Sequence, residues 1–187
     1  MQIKPFLEIL PTLYLNWGKN TMMTPTNAFQ SILEQVEQST TANFLQLLAA
    51  ATEYLEPEET ICEIGCLSGA NLIGMLAPSP DRFAYAVEFY STKEEIVDKK
   101  LENLQTNLAQ FNVLEQVCFA HQTIDDFFSD LTINASPDRF GLYIYSFEPD
   151  YRQVLMSLLL AKSFFSDQTL ILVRNTNEAP VRQAIAF

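Results

Sequence analysis

The chain is poor in the residues that build metal centres, disulfide frameworks and basic binding surfaces. It has one histidine, His121, and three cysteines, Cys62, Cys66 and Cys118, with no C-x-x-C pair. A cysteine/histidine zinc site needs more ligands than this. The odd cysteine count fits a reducing compartment better than a disulfide framework, and a cytoplasmic protein is expected. Basic residues number 11 against 23 acidic ones, a net charge of −12. That balance argues against nucleic acid or an anionic membrane surface as partner, since both need a basic patch. No apolar run approaches the ~18 residues of a membrane span. The apolar N-terminal stretch FLEILPTLYL is interrupted by Glu8 and Pro11 and preceded only by Lys4, which makes a poor signal peptide. Charged residues make up only 18% and hydrophobic ones 48%, so the chain is not a disordered one. At 187 residues, one domain with a real core is expected.

Glycine is scarce too, and its placement is informative. Of five glycines, at 18, 65, 69, 74 and 141, three fall between Thr60 and Ala77, in TICEIGCLSGANLIGMLA. Such clustering marks backbone that turns sharply or approaches something closely. Ile61, Cys62 and Ile64 form a short apolar run of the kind a buried parallel strand shows. Glu63 interrupts it near the strand's carboxyl end, where a carboxylate is costly unless something meets it. Gly65 and Gly69 then bracket a loop whose amides would point at a ligand, with a helix from Gly69 onward presenting free N–H groups to the same spot.

Residues 1–26 are apolar and aromatic, with Pro5, Pro11 and Pro25 preventing one long helix and Asn16-Trp17-Gly18 reading as a turn. They form either a lid carrying Trp17, Met22 and Met23 or, on the plainer reading, a packing arm that covers a sheet edge. Phe29, Ile32, Leu33 and Val36 predict an amphipathic helix over 27–38, Ser39-Thr40-Thr41 a capping cluster, and Phe44 to Leu55 a more buried helix ending before Pro57. The arm and first helix, 1–40, would pack on a core unit spanning 41–187. Beyond the glycine-bearing stretch, Phe83–Glu88 predicts strand two. A helix follows, with capping-box spacing at Ser91 and Glu94 and with Val97, Leu101, Leu104, Leu108 and Phe111 on one face. Val117–Ala120 predicts strand three, Phe140–Ser146 strand four, Asp150–Phe164 a helix, Thr169–Val173 strand five, and Pro180 opens a last helical piece. Five strands alternating with helices give an α/β class with an open, mainly parallel, Rossmann-like sheet and helices on both faces.

In such a sheet ligands bind at the carboxyl ends of the strands, beside strand one. The unusual polar residues all fall there: Glu63 and the Gly65–Gly69 loop, Glu88, Gln122 with Thr123, Ser146-Phe147-Glu148, and Arg174-Asn175. A nicotinamide or flavin fingerprint, G-x-G-x-x-G counted from Gly65, would need glycine where the chain has Leu67 and Ala70. The observed pattern is E-x-G-x-x-x-G followed by an acid at the end of the next strand. It resembles the class I S-adenosylmethionine-dependent methyltransferases from about Thr41 onward. The likeness is nearest to the small O-methyltransferase-like domains, including bacterial ones attached to tetratricopeptide-repeat arrays.

The resemblance implies a residue-by-residue assignment. Gly65, Cys66, Ser68 and Gly69 would let backbone approach the methionine part of S-adenosylmethionine, and Glu63 would hold its ammonium. Glu88, with Phe89 beside it, would accept hydrogen bonds from the ribose hydroxyls, against the alternative of a solvated charge. Gln122 and Thr123 would meet the adenine or else serve as ordinary loop and capping residues. Two departures stand out. The run after strand four reads Ser146-Phe147-Glu148-Pro149-Asp150-Tyr151, where related domains carry an Asp-Gly-x-His-x-Tyr-like run. After strand five stands Arg174-Asn175 instead of acidic residues. A hard cation needs carboxylates at these ends, so no catalytic metal is expected. The closing strands six and seven are absent from the pattern, which implies either a fragment or a strand five left as an edge. Base candidates are Glu148, Asp150 and His121, with His121 equally a hydrogen-bonded loop residue; Tyr151 would position an acceptor or pack on the sheet. The expected activity is metal-independent methyl transfer to a small molecule. The alternative is a non-catalytic cofactor-binding or interaction module of the same fold. A homodimer or attachment to a larger repeat protein would fit either.

Overall fold

The computed structural model describes residues 1–27, 29–37, 40–89 and 94–187, and of residues 94 and 95 the backbone alone. The helices are α1 (Ile3–Ile9), α2 (Gln30–Gln35), α3 (Ala42–Glu53), α4 (Ala70–Leu76), α5 (Glu94–Gln110), α6 (Ile124–Ile133), α7 (Tyr151–Ala161) and α8 (Ala179–Ile185). The strands are β1 (Glu59–Ile64), β2 (Ala84–Glu88), β3 (Val117–His121), β4 (Arg139–Tyr145) and β5 (Phe165–Val173). They form one five-stranded, all-parallel sheet in the order β3-β2-β1-β4-β5. The Rossmann-like class and the N-terminal helices are as expected. The predicted Ser91–Glu94 capping box lies outside the described residues.

The strand order places a switch point at β1. The chain winds outward from β1 through β2 to β3, then returns to add β4 and β5 on the other side. One sheet face carries Ile61, Ala84, Ala86, Leu142 and Ile144, packed under α3, α4 and α5 through Leu45, Leu48, Leu72, Ile73, Leu104 and Leu108. The opposite face carries Cys62, Ile64, Val87, Tyr143 and Tyr145 and packs on α6, α7 and α8, with Phe127, Phe128, Val154 and Val181 among the contacts. Both faces of β1 and β4 are covered, and β4 accordingly runs apolar from Phe140 to Tyr145.

Two boundaries and one cap differ in detail from those expected. Among the described residues of the predicted 27–38, Gln30–Gln35 are helical. β5 begins at Phe165, four residues before Thr169, because Ser166–Thr169 are absorbed in an irregularity: Phe140 pairs with Phe165 and Leu142 with Leu170. Of the capping cluster, Thr41 caps α3 by accepting from the Phe44 N–H at 3.2 Å. Thr40 instead turns inward to donate to the Asn71 side chain at 2.9 Å.

The arm divides in two. Met1, Phe6, Leu13 and Tyr14 are buried in the same cluster as α3 and α4, and the Met1 ammonium pairs with the Glu59 carboxylate. Pro5 sits in the first turn of α1, where its missing N–H costs nothing. The turn at Asn16–Gly18 is present, with Gly18 at φ +73° and the Asn16 side chain bonded to Thr21, Met22 and Thr24. Trp17 stacks on Tyr14, while Met22 and Met23 are exposed.

Candidate functional site

Because side chains alternate along a strand, parity decides which polar residues meet at the sheet's carboxyl edge. Glu63 shares a face with Ile61, Glu88 with Ala84 and Ala86, His121 with Phe119, Ser146 with Leu142 and Ile144, and Arg174 with Leu170 and Leu172. All five therefore face the α4–α5 side. Three backbone bonds carry the ladders one residue past the strands. Gly65 N–H donates to Val87 at 2.8 Å, Ser146 N–H to Ile64 at 2.8 Å and Arg174 N–H to Tyr145 at 2.9 Å. Glu88, Gly65, Ser146 and Arg174 thus stand side by side, with Glu63 one step below.

Glu63 is fully buried. Its Oε1 accepts from Asn71 Nδ2 at 2.7 Å, and its Oε2 is buried with no hydrogen-bond partner. The Ser146 hydroxyl on the neighbouring strand is likewise buried and unpartnered. Burial pushes the Glu63 pKa up to about 7, against the pull of Asn71, the Arg174 charge and the nearby Ser146 hydroxyl; the Glu88 charge adds to the rise. A buried carboxylate half-satisfied in this way is an acceptor waiting for a donor or a cation.

Glu88 is also buried, at 1% exposure. Its Oε2 accepts the Leu67 N–H at 2.8 Å and its Oε1 the Phe89 N–H at 3.2 Å. The carboxylate is thus turned into the glycine loop, and each oxygen keeps a lone pair for a further donor. Burial raises its pKa, and the two amides and the Lys100 charge oppose the rise. Phe89 is exposed and stacks on His121, with ring centroids 6.4 Å apart.

The loop itself departs from expectation in what its glycines approach. Gly65 and Gly69 have φ of +85° and +87°, the left-handed region that favours glycine. A Cβ on Gly65 would lie 2.7 Å from the backbone N of Phe147, and one on Gly69 would lie 2.9 Å from Leu104 Cδ1. Both close approaches are made to protein, to the loop after β4 and to α5. Cys66 points into the core, its thiol pKa raised by burial and by the charges of Glu88 and Glu63, so only its backbone faces the loop. The Ser68 carbonyl accepts from Asn107 Nδ2 at 2.9 Å. Leu67, Ser68, Lys100 and Asn103 line a cavity of about 80 Å³ here.

The remaining predicted residues are placed as follows. Thr123 is the N-cap of α6, accepting from the Asp126 N–H at 3.2 Å. Gln122 donates to Asp130 at 2.6 Å on the surface. These are capping and loop contacts of the ordinary kind. Glu148 is exposed, and its carbonyl accepts from the Tyr145 hydroxyl at 3.0 Å. Asp150 caps α7, and Tyr151 packs against the apolar cluster under the opposite face. Neither Glu148 nor Tyr151 hydrogen-bonds to Glu63, whose Oε1 is met by Asn71. Among the described residues no group of three or more His, Cys, Asp or Glu side chains converges.

One residue, Asn71, and one contact, that of Arg174 with Phe44, escaped the sequence reading. Asn71 is fully buried and supplies the hydrogen bond to Glu63. It stood out as the lone amide in the apolar stretch ANLIGML. Arg174 lies over the Phe44 ring, 5.4 Å from its centroid. Nothing in the local sequence joins α3 to the end of β5.

No protein-family model matches the chain, and no curated protein sequence matches it. Solved structures do. A candidate O-methyltransferase from Klebsiella pneumoniae is similar at 22% identity and a TM-score of 0.61, over 83% of this chain and 74% of that one. An O-methyltransferase from Bacillus cereus, solved with S-adenosylhomocysteine, is similar at 19% identity and a TM-score of 0.59, over 83% and 71%. CalS11, the TDP-rhamnose 3'-O-methyltransferase of calicheamicin biosynthesis, is similar at 11% identity and a TM-score of 0.59, over 98% and 82%. At these identities the likeness is one of fold: a Rossmann-like methyltransferase fold.

Proposed function

We propose that the crevice beside β1 binds S-adenosylmethionine and that the protein transfers its methyl group to a small-molecule acceptor without a metal ion. The observation that carries this reading is the pair of buried acids, Glu63 and Glu88, on one face at the ends of adjacent strands with the glycine loop between them. The residues fit the cofactor's chemistry. Glu63 Oε2 is an unmet acceptor where an ammonium would sit. Glu88 is held at its rim by two loop amides and retains lone pairs for a diol. The Phe89–His121 pair beside Glu88 offers aromatic surface for a base. Bound there, the cofactor supplies an already activated methyl group. The protein's task is then alignment of the acceptor and exclusion of water. Ser146 and Arg174 stand where a hard cation would need carboxylates, and this favours metal-independent transfer.

The test is calorimetric titration with S-adenosylhomocysteine at pH 7.5 in two buffers of different ionisation enthalpy. Binding is expected, with heats that differ between buffers because an ammonium arriving at Glu63 expels the proton it partly holds. Absence of binding at high protein concentration ends the reading. A chelator is expected to leave turnover unchanged.

A second reading, a cofactor-binding module without turnover, is favoured by the exposure of Glu148 and the packed position of Tyr151. One methylated product from an acceptor screen eliminates it. Under either reading a cytoplasmic protein, dimeric or carried on a repeat array, remains our expectation.

A further inference from the structure

Glu63 is held by a short polar chain that links it through the first turn of α4 to the residue before the Thr41 cap of α3. Thr40 Oγ1 donates to Asn71 Oδ1 at 2.9 Å, and Asn71 Nδ2 donates to Glu63 Oε1 at 2.7 Å. Asn71 and Glu63 are both fully buried, so water does not substitute for the bond between them, while the Thr40 end of the chain is half-buried. The chain has a direction. The amide of Asn71 has one acceptor and one donor side, and whichever faces Thr40, the other faces Glu63. A threonine hydroxyl that donates to Oδ1 commits the NH₂ to the carboxylate. Asn71 occupies Oε1 and leaves Oε2 without a partner of hydrogen-bond geometry, the Ser146 hydroxyl being its nearby donor.

We infer that Asn71, oriented by Thr40, is a positioning residue that fixes the rotation of the Glu63 carboxylate and keeps it charged so that its free oxygen serves the bound ligand's cation. As a statement about the ligand's ammonium this rests on the reading above; as a statement about Glu63 it does not. The charged groups that act on Glu63 are Arg174 at the end of β5 and Glu88 at the end of β2, with Ser146 on β4 and Asn71 on α4 as its neutral neighbours. Arg174 favours the charged carboxylate and Glu88 opposes it, so removal of Asn71 leaves one fewer group on the stabilising side.

The experiment follows the Glu63 carboxyl carbon by NMR in ligand-free protein labelled with ¹³C at glutamate Cδ, with Glu63→Gln identifying the resonance. Asn71→Ala is expected to raise the Glu63 midpoint by about one pH unit, the tenfold effect of losing a hydrogen bond to a charged group. Thr40→Val, which keeps the shape and removes the donor, is expected to raise it by a smaller amount. It carries the test if Asn71→Ala does not fold. Affinity for S-adenosylhomocysteine, relative to the unsubstituted protein, is expected to fall about fivefold in Asn71→Ala at pH 7, where the ionised fraction of Glu63 drops from about a half to about a tenth, and to match it at pH 9, where the carboxylate is ionised in both. A support for the helix alone would weaken binding equally at all pH values. Midpoints unmoved in both variants overturn the positioning role, even if affinity falls. A wild-type protein that never binds S-adenosylhomocysteine ends the cofactor reading, and the midpoint shift still decides the role of Asn71.

Discussion

A carboxylate buried to the last ångström, with one hydrogen bond and one bare oxygen, costs the fold something, and Glu63 is such a group. The direction of that cost sets a pH dependence. Its folded-state pKa of about 7 lies above the ordinary glutamate value of about 4.3 in an unfolded chain. Between the two, the folded protein holds a proton that the unfolded chain has released. The favourable contribution is complete below the unfolded value and is lost as pH rises through 7. Replacement by the neutral isostere removes the penalty. Glu63→Gln is therefore expected to stabilise the protein by up to about 3 kcal/mol at pH 8 and by almost nothing at pH 4.5. Thermal melts at the two values check this, and an equal gain at both would show that charge is not the cause. Glu88 shifts in the same direction, so part of the wild-type slope should survive in the variant.

At the scale of elements, the turn after β1 joins the two halves of the sheet, and Gly65 is its point of contact. An added Cβ there would meet the N and Cα of Phe147 and the carbonyl carbon of Ser146 at 2.7, 2.8 and 2.9 Å, all of it backbone. Gly18, at φ +73°, has nothing within 4 Å. Gly18→Ala should cost only the left-handed conformation, about 1–2 kcal/mol. Gly65→Ala adds a forced separation of the β1 and β4 loops and should cost about 3 kcal/mol or more by urea denaturation. Equal costs would mean that the loops part freely. The strands, their order of appearance and the acids at their ends were legible because apolar runs and their breaks are local properties. What each loop residue touches was not. Gly69 rests on Leu104 and Leu108, and Gln122 reaches Asp130. Cys66 turns into the core. Each contact depends on where a later helix is laid against the sheet, and no spacing near the residue encodes that.

At the scale of the whole molecule, the open question in the sequence was whether the first residues belong to the core or close over the crevice. Phe6 is 2% exposed and lies in one cluster with Leu45, Leu72, Ile61 and Leu142, so the arm's first turn shares its apolar contacts with α3, α4 and the sheet. Trp17 is 43% exposed and rests mainly on Tyr14. If residues 1–187 unfold as one unit, Phe6→Ala lowers the single calorimetric transition as a whole, by the about 3–5 kcal/mol of a large core truncation. Trp17→Ala, on the surface, should cost under about 1 kcal/mol. If the arm were a separate flap, Phe6→Ala would instead broaden or split the transition and leave its main component in place. The lid reading then narrows to residues 15–24, and it has its own signature: Trp17→Ala would weaken binding of S-adenosylhomocysteine with stability unchanged. Affinity that stays put in that variant assigns the whole arm to packing.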